Sequence, residues 1–375
     1  MIVFLLNNIN KSLKYKELMA SEEIMNILEK KRPLIEKEIE KYLPRKLDEK
    51  YIEWLLGKPS YEYTIKPLQK SLAEPTWDFL DRGGKRWRPG LFLMFTEALG
   101  GDTEKVKDFT ATLELMHNGS IMQDDIEDDS ELRRGKPCTH KLFGTDIAIN
   151  AGSFMYFLAF FPLIKNKEKF KPETLLRAWE ATLEELTRIH YGQGTDIAWH
   201  RGLADADNVT ESEYLQMCAY KTGVLARLAA RLAVILNGGS RKLEEKLGRF
   251  AESIGVAFQI QDDIMNIAPT EGWGKELGDD INEGKRTLLV IHTLKKANGS
   301  DRKRLIEILN MHTKDGKLIR EAIDIIKKYG SIEYAKGFAR KMVRDAWKEA
   351  EPLLPENGAK KNLKGFADFM VEREI

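Results

Sequence analysis

The chain has 375 residues, of which 42% are hydrophobic and 32% charged, so it can bury a sizeable core beneath a highly charged surface. Its 60 Lys and Arg residues balance 59 Asp and Glu residues, and the net charge of +1 excludes bulk electrostatic binding of nucleic acid or acidic membrane. Cys138 and Cys218 cannot form a disulfide framework, and no CxxC pair indicates structural zinc. These features predict a protein of the reducing cytoplasm.

The N-terminal part of the chain differs from the rest. Residues 1–6 are apolar but too few for a signal peptide, and Met19 is an alternative start. Residues 21–43 have a helical pattern that is rich in Glu and Lys. We predict that residues 1–60 form an N-terminal extension of peripheral helices and that residues 61–375 form the main domain.

Long segments of the main domain repeat apolar residues at steps of three and four. Leu225, Leu228, Leu232 and Ile235 share one helical face, whereas sustained strand-like alternation is hard to find. The most apolar segment, residues 147–164, is interrupted by polar residues and proline and falls short of the about 20 residues that span a membrane. We predict one large all-α bundle without a transmembrane segment.

The first motif with a clear chemistry is QDDIEDDSE at residues 123–131, which holds six acids in nine residues. It follows an apolar helical segment, and Asp124 and Asp128 lie one turn apart, where like charges repel. Carboxylates without nearby His or Cys suit hard cations, above all Mg²⁺, which binds through one or two carboxylates and substrate phosphates. The alternative is a solvated acidic helix end.

A second acidic pair, Asp262 and Asp263, again ends an apolar helical segment. The position one turn after Asp262 is the neutral residue Asn266. Two such helices that face each other would hold metal ions between them, with a polyphosphate bridging the metals. The second pair therefore favours a metal site over a solvated helix end.

Basic residues occur in short matching motifs. GGKRWRP at residues 83–89 carries three cations before a predicted helix start, and Arg133 and Arg134 follow the first acidic motif. Further cations are Lys221, which precedes Thr222, and Lys275 and Lys285. Lys binds phosphate as a point charge and Arg as a bidentate fork. Each cation alone is more often a surface charge, but together they predict a site for two anionic groups, one held by metal and one by side chains alone.

Five ordered motifs resemble those of the trans-isoprenyl diphosphate synthases. They are GGKRWRP, DDIEDDSELRRG, KTG, FQIQDDIMN and GDDINEGKRT, and the resemblance extends from about Leu68 to Val290. DDIEDDSELRRG and INAGSFMYF are most similar to geranylgeranyl diphosphate synthases of eukaryotes and some archaea. The resemblance implies an all-α bundle around a deep central cavity, a homodimer, and a prenyltransferase that condenses isopentenyl diphosphate head-to-tail with dimethylallyl, geranyl or farnesyl diphosphate.

The resemblance also implies roles for individual residues. Three Mg²⁺ ions on the allylic diphosphate would be held by Asp124, Asp125, Asp128 and Asp262. The same diphosphate would be contacted by Arg133, Lys221 and Lys275, with Thr222 and Gln259 lining the site. Isopentenyl diphosphate would be contacted by Lys85, Arg88, His117 and Arg134. Lys285 would lie near the mouth of the cavity, with Gln193 and Asp196 on a helix beside it. The four aspartates, Lys221 and Arg133 are the expected catalytic residues.

Three positions allow a second interpretation. A lone His such as His117 is more often packed in a core than bound to a ligand. It lies two turns before Asp124 on the same face, however, which suits the wall of a diphosphate site. Asn266 replaces the third aspartate of the second motif, and Gln123 stands where many family members have His. Neither change removes an essential carboxylate, so we expect activity.

Product length is expected to depend on what blocks the cavity below the first acidic motif. A helix rises about 5.4 Å per turn, close to one extended isoprene unit. One turn below Asp124, Gly119 and Ser120 are small, where short-chain members often carry aromatics, so we predict a product of twenty carbons (C20) or somewhat longer. Met116 is one candidate floor, and the alternative for the aromatic candidates is ordinary core packing. Those candidates are Phe154, Tyr156, Phe157 and Phe160.

The motifs leave one alternative function open, a farnesyl diphosphate synthase, and disfavour two others, a terpene cyclase and a regulatory subunit. A farnesyl diphosphate synthase would use the same chemistry and stop at fifteen carbons. A terpene cyclase of the same fold has no need of the GGKRWRP loop and carries a different second metal motif with Ser and Glu. A non-catalytic regulatory subunit of a hetero-oligomeric synthase typically loses its acidic motifs, and both are present here.

Overall fold

The structure is a computed structural model that describes residues 2–269 and 277–372. Within these ranges the chain forms twenty α-helices and one β-hairpin, so the predicted all-α fold is confirmed. The first ten helices are α1 (Ile2–Tyr42), α2 (Glu49–Leu56), α3 (Ile65–Leu68), α4 (Glu74–Leu80), α5 (Trp87–Ala98), α6 (Thr103–Val106), α7 (Phe109–Glu127), α8 (Thr139–Phe143), α9 (Thr145–Leu158) and α10 (Phe161–Lys165).

The second half of the chain adds the other ten helices. They are α11 (Pro172–His200), α12 (Glu211–Cys218), α13 (Val224–Leu236), α14 (Arg241–Ile267), α15 (Asp279–Asn282), α16 (Leu288–Lys296), α17 (Gly299–Asn310), α18 (Gly316–Lys328), α19 (Ser331–Ala350) and α20 (Gly358–Glu372). Short π-helical segments at Gln69–Ala73 and Ala219–Gly223 precede α4 and α13, and a 3₁₀ turn, Glu351–Leu353, follows α19.

Helix α13 lies at the centre of the bundle, where it packs against α14, α11 and α5. Leu225, Leu228, Leu232 and Ile235, which the sequence predicts to share one face, are each at most 3% exposed. The helix is apolar on nearly all sides, as expected for a helix surrounded by others. One continuous hydrophobic core therefore joins the helices that carry the motifs.

The two acidic motifs lie at the C-terminal ends of two long helices. Helix α7 ends at Glu127, within the first motif, and α14 ends at Ile267, just after the second. The negative end of the helix macrodipole lies there, which disfavours carboxylates. Acidic side chains at both ends therefore need cations close by, and the cavity described below supplies them.

A β-hairpin follows the first acidic motif and directs two arginines. Strand β1 (Leu132–Arg133) pairs antiparallel with β2 (Lys136–Pro137), and Arg134 and Gly135 form the turn. Both turn residues have positive φ angles, 53° and 75°, as a two-residue type I′ hairpin requires. The hairpin fixes Arg133 and Arg134 on different sides of the chain.

The second half of α1 belongs to the common core. Its buried side chains recur at helical spacing and are at most 3% exposed: Ile24, Leu28, Ile35 and Ile39. They pack in the same hydrophobic cluster as α5, α7 and α20. Although the sequence predicts peripheral helices before residue 61, this part of α1 contributes to the core that supports the site.

One apolar segment, Thr145–Lys165, is long and apolar enough to cross a membrane by length and composition alone. It consists of α9 and α10, and 56% of its most apolar window is buried inside the bundle. Burial of this kind is typical of a core helix.

Candidate active site

A cavity of about 1820 Å³ opens between the C-terminal ends of α7 and α14. Its walls are formed by α7, α11, α14, the π-helical segment Ala219–Gly223 and the GGKRWRP loop. The predicted site residues that line it are Lys85, Arg88, His117, Ser120, Asp124, Asp128, Arg133, Arg134, Gln193, Asp196, Lys221, Thr222, Gln259, Asp262 and Lys285. The predicted Lys275 lies outside the described residues.

The three aspartates of the first motif that were predicted to bind metal, Asp124, Asp125 and Asp128, do not all face the cavity. Asp124 and Asp128 face the cavity, because residues four apart share one side of a helix. Asp125 does not line it: its side chain is 1% exposed and accepts a hydrogen bond from Arg133 Nε at 2.7 Å. The sequence-based assignment of Asp125 as a metal ligand therefore does not fit this geometry, in which its carboxylate holds Arg133.

Cations and an amide surround the two aspartates that face the cavity. Lys221 Nζ lies 3.2 Å from Asp124 Oδ1, and Gln193 Nε2 donates to the same oxygen at 2.8 Å. Burial opposes ionisation of Asp124, but the charges of Lys221 and Lys285 hold the pKa of its carboxyl below the usual range. Lys285 Nζ lies 3.6 Å from Asp128 Oδ2, and burial raises the pKa of Asp128 to about 6 despite that charge.

A glycine on α11 allows Lys221 to reach this cluster. Lys221 sits in the π-helical segment Ala219–Gly223, which packs directly against Gly192. A Cβ on Gly192 would lie 2.3 Å from the backbone nitrogen of Lys221, so only glycine permits the approach. The Lys221 ammonium also pairs with Asp196 at 2.6 Å, which anchors it from α11.

The two aspartates of the second acidic motif both line the cavity but differ in their environment. Asp263 is 4% exposed and accepts from Tyr214 Oη at 2.5 Å and from Gln259 Nε2 at 2.9 Å. Gln259 Oε1 accepts in turn from Thr222 at 2.8 Å. Tyr214 and Asp263 thus orient Gln259 and Thr222 from behind, a role that the sequence motifs did not reveal.

The structure gives a local reason for Asn266, which stands in place of an aspartate. Its side chain is 2% exposed, and its Oδ1 accepts the backbone N–H of Asp280 at 3.2 Å. That N–H lies at the start of α15, where helical N–H groups lack partners within the helix. Asn266 therefore connects the end of α14 to the turn that leads to Lys285.

The part of the cavity wall around His117, two turns before Asp124 on α7, carries the second set of predicted cations. Arg88 Nη1 lies 3.1 Å from His117 Nε2, and because a guanidinium only donates, the imidazole accepts with Nε2. Burial and the charge of Arg88 lower the pKa of His117 well below its usual value, so the ring is neutral. Burial together with neighbouring arginines lowers the pKa of Arg134 to about 10, as expected where cations gather around a space for an anion.

A buried ion pair supports this wall, and sequence analysis missed it. Arg86 has a left-handed φ of 47° and donates through Nη1 to Glu114 Oε1 at 2.7 Å. Both side chains are at most 4% exposed, and Asn118 donates to the same carboxylate oxygen at 2.8 Å. Arg86 lies between Lys85 and Arg88 in the GGKRWRP loop, so Glu114 fixes the loop that carries both. The only sequence signal was an acidic residue within the apolar part of α7.

The part of the cavity one turn below Asp124 is lined by residues from three helices. They are Ser120 of α7, Tyr156 of α9 and His190 of α11, and the Tyr156 and His190 rings are 5.6 Å apart. Met116 is fully buried and does not line the cavity. A Cβ on Gly119 would lie 2.9 Å from the carbonyl oxygen of Gly152, so this glycine serves close packing of α7 against α9.

The other aromatic floor candidates have ordinary environments. Phe157 is 71% exposed on the outer face of α9, and Phe160 stacks on Trp179 at a ring distance of 4.8 Å. Phe154 is partly buried and packs against the core. Of the four aromatics, Tyr156 therefore has the position of a floor.

The arrangement suits hard cations that are completed by another ligand. Among the acids that line the cavity, Asp124, Asp128 and Asp262 lie at the two helix ends and offer oxygen donors, which Mg²⁺ prefers. Within residues 2–269 and 277–372, no three acidic, imidazole or thiol side chains lie close enough to hold a metal ion by themselves. Mg²⁺ usually takes its remaining ligands from water and substrate phosphates, so a shared polyphosphate would fit between the two acidic helix ends.

Comparisons with known proteins agree with this geometry. Residues 69–326 match the family described as Polyprenyl synthetase. A short chain isoprenyl diphosphate synthase of Methanothermobacter thermautotrophicus is 39% identical over 306 residues, which cover 81% of this chain and 91% of the relative. A geranylgeranyl diphosphate synthase of Saccharolobus solfataricus is 33% identical, with 82% and 92% covered.

Solved structures give the same result. The crystal structure of a geranylgeranyl pyrophosphate synthetase from Pyrococcus horikoshii has a TM-score of 0.80 and 32% identity, and covers 94% of this chain and 99% of that one. The chain therefore belongs to the polyprenyl synthetase family and is a prenyltransferase of the trans-isoprenyl diphosphate synthase type. Members of this family use divalent metal ions.

Proposed function

We propose that this prenyltransferase condenses isopentenyl diphosphate with an allylic diphosphate and releases geranylgeranyl diphosphate. The observation that carries the proposal is that both acidic helix ends face one cavity together with two separate sets of cations. One set, Lys221 and Arg133, lies beside Asp124. The other, around Arg88 and His117, lines the same cavity two turns before Asp124 on α7. Two diphosphates need two such sets, whereas a cyclase needs one.

The allylic diphosphate is assigned to the side with the aspartates. We propose that Asp124, Asp128 and Asp262 hold three Mg²⁺ ions there, and that Asp125 acts through Arg133. Mg²⁺ bound there supplies Lewis-acid stabilisation of the charge on the leaving diphosphate. Lys221 and Arg133 add two positive charges to the same oxygens, and Thr222 and Gln259 line the site. Lys275 remains a predicted contact.

Isopentenyl diphosphate is assigned to the second set of cations. Lys85, Arg88 and Arg134 surround it with positive charge, and the neutral His117 holds Arg88 in place. This binding needs side chains alone. The carbon–oxygen bond of the allylic diphosphate breaks, and the double bond of isopentenyl diphosphate attacks the allylic carbon.

The proton released in the condensation needs an acceptor. Asp124 and Asp128 are paired with Lys221 and Lys285, so the departing diphosphate is the better base at this point. No protein nucleophile takes part in this scheme. Because water would trap the allylic cation as an alcohol, the side chains at the mouth must exclude it.

Tyr156 is assigned as the floor that limits product length. It lines the cavity with Ser120 and His190, next to the first turn below Asp124. The small Ser120 leaves this turn open on the α7 side, which supports a product longer than fifteen carbons. The aromatic ring that α9 contributes beside it supports a stop near twenty carbons rather than free extension.

A second copy of the chain is the proposed partner, and the cytoplasm the proposed location. Helices α9 and α11 expose large apolar side chains: Ile149, Phe157, Leu176, Leu183 and Tyr191 are between 49% and 71% exposed. Such a surface favours a homodimer. Light scattering after gel filtration should give a dimer, and Leu183→Glu should give monomers; a monomeric unmodified chain would contradict this assignment.

Product analysis tests the proposed reaction. The purified chain is incubated with Mg²⁺, isopentenyl diphosphate and, in separate reactions, dimethylallyl, geranyl or farnesyl diphosphate, and the dephosphorylated alcohols are sized. A dominant C20 alcohol is expected. A C15 product would leave the chemistry intact and contradict the assigned floor. Failure to condense any starter, with activity only after addition of a related synthase, would favour a regulatory subunit.

A further inference from the structure

A buried arginine at the mouth of the cavity connects three separate segments of the chain. Arg286 Nη2 donates to Asp207 Oδ1 at 2.6 Å, in the connection between α11 and α12, and to Asn310 Oδ1 at 2.5 Å, at the end of α17. Its Nη1 donates to the carbonyl oxygen of Gly284 at 2.5 Å. The side chain is only 4% exposed, so its charge depends on these partners.

The residue just before this arginine is Lys285, which reaches into the active site. Its ammonium pairs with Glu283 and lies 3.6 Å from Asp128. The backbone on both sides of Lys285 is also held: its own N–H donates to Asp280 at 2.8 Å, and the next residue but one, Thr287, caps α16. The guanidinium of Arg286 therefore closes the turn that sets the direction of Lys285.

We propose that Arg286 is a positioning residue for the prenyl transfer reaction, and that it acts by holding Lys285 against Asp128. This inference rests on the role proposed above for the acidic side of the cavity. A planar guanidinium can donate to several acceptors at fixed angles, whereas a lysine ammonium is a flexible point charge. Arg286→Lys therefore keeps the positive charge and loses the simultaneous link to Asp207, Asn310 and Gly284.

The experiment compares single and double variants of the full-length enzyme. Arg286→Lys, Lys285→Met and the double variant are assayed for kcat and for the KM of both substrates. We expect Arg286→Lys to lower kcat about tenfold, with little change in the KM of isopentenyl diphosphate, because that substrate is assigned to the other set of cations. In the Lys285→Met background the same substitution should change kcat less than twofold, since the residue it positions is gone.

Two further variants separate positioning from folding. Asp207→Ala removes one acceptor of Arg286 at a side chain that is 32% exposed, and it should lower kcat with a smaller effect. Arg304→Lys is the control, because Arg304 lies on α17, the helix that carries Asn310, and forms a bidentate pair with Glu321 at 2.7 and 2.8 Å, away from the cavity. It should leave kcat unchanged.

The outcomes distinguish this inference from the proposed role of the site. If Lys285→Met lowers kcat but Arg286→Lys does not, or if the two effects simply multiply in the double variant, the positioning role is wrong and the assigned site stands. If Lys285→Met has no effect, the role of Lys285 fails, and the inference fails with it. If Arg304→Lys lowers kcat as much as Arg286→Lys does, the loss reflects general destabilisation, and the proposal is overturned.

Discussion

Lys221 Nζ lies 3.2 Å from Oδ1 of Asp124, so a cation from the segment before α13 neutralises the acidic end of α7. The pair joins two residues that are far apart in sequence and belong to two of the five motifs. It also keeps Asp124 ionised in a largely enclosed position, which is the state that a metal ion or a cationic partner requires. The first prediction concerns this carboxylate.

Asp124→Asn should lower kcat about 10²–10³-fold, because the variant loses the negative charge at the centre of the acidic cluster. Steady-state condensation with farnesyl and isopentenyl diphosphates in the presence of Mg²⁺ measures the effect. Asp129→Asn is the matched control: Asp129 belongs to the same acidic motif, but its side chain is 86% exposed and pairs with Lys141. Equal losses in both variants would mean that net charge matters, rather than the enclosed position of Asp124.

Glu114→Gln should raise the KM of isopentenyl diphosphate about tenfold while the KM of the allylic substrate changes little. The substitution leaves the charge of Arg86 without its buried partner, which disturbs the loop that carries Lys85 and Arg88. Initial rates with each substrate varied in turn give the two constants.

The control for this variant is Glu104→Gln, which removes an exposed partner of Lys107 and should change neither constant. The melting temperature of Glu114→Gln is expected to fall as well. A parallel rise of both KM values would show that Glu114 supports the fold as a whole and not the isopentenyl side.

Tyr156→Ala should shift the main product from twenty to twenty-five carbons or more, because it removes the aromatic ring that lines the cavity beside Ser120. Ser120→Phe should shift it to fifteen carbons by filling the turn below Asp124. Both variants are tested by sizing the dephosphorylated products. Met116→Leu, which changes a fully buried residue that does not line the cavity, should keep the original product. A longer product from Met116→Leu but not from Tyr156→Ala would contradict the assigned floor.

The buried carboxylate of Asp108 should make the stability of the folded state depend on pH. Its fully buried carboxylate accepts from Tyr42 Oη at 2.7 Å and pairs with Lys41 and with Lys169. Burial opposes its ionisation, but these partners lower its pKa to about 2. Because the pKa of Asp108 is lowered by folding, its ionised carboxylate stabilises the folded state at any pH above its pKa in the unfolded chain, about 3.9. This contribution, about 2 kcal/mol, disappears as the pH falls towards 2.

Thermal melting of the unmodified chain and of Asp108→Asn between pH 6 and pH 2 measures this contribution. The variant should melt at a lower temperature at pH 6, and the difference should shrink below pH 4. A difference independent of pH would show that the Asp108 charge does not contribute and that α1 is held by its apolar contacts alone.

The motifs predicted the helical fold and the two acidic helix ends because both are local properties of the sequence. Apolar spacing fixes which residues are buried on α13, and spacing of four places Asp124 and Asp128 on one side of α7. The same spacing could not show that Asp125 turns towards Arg133, because that depends on where the β-hairpin returns. Gly119 was interpreted as an open position below the acids, yet it packs against Gly152 of another helix.

The sequence analysis mainly missed residues that hold other site residues in place. Glu114, Tyr214 and Arg286 lie outside the motif positions to which sequence analysis assigned roles, and each supports a residue inside them. Their partners come from segments distant in sequence, so only the packed structure brings them together. Buried polar residues of this kind need a partner, and the identity of that partner is a tertiary property.

The most direct test of the assigned site is a crystal structure with Mn²⁺ in place of Mg²⁺ and an unreactive allylic thiolodiphosphate. Anomalous diffraction then locates each metal ion. We predict ions within coordination distance of Asp124, Asp128 and Asp262, on the allylic diphosphate, with Asp125 still bound to Arg133. Ions coordinated by Asp125, or a diphosphate bound without metal beside Lys85 and Arg88 while the acidic helix ends stay empty, would contradict the account.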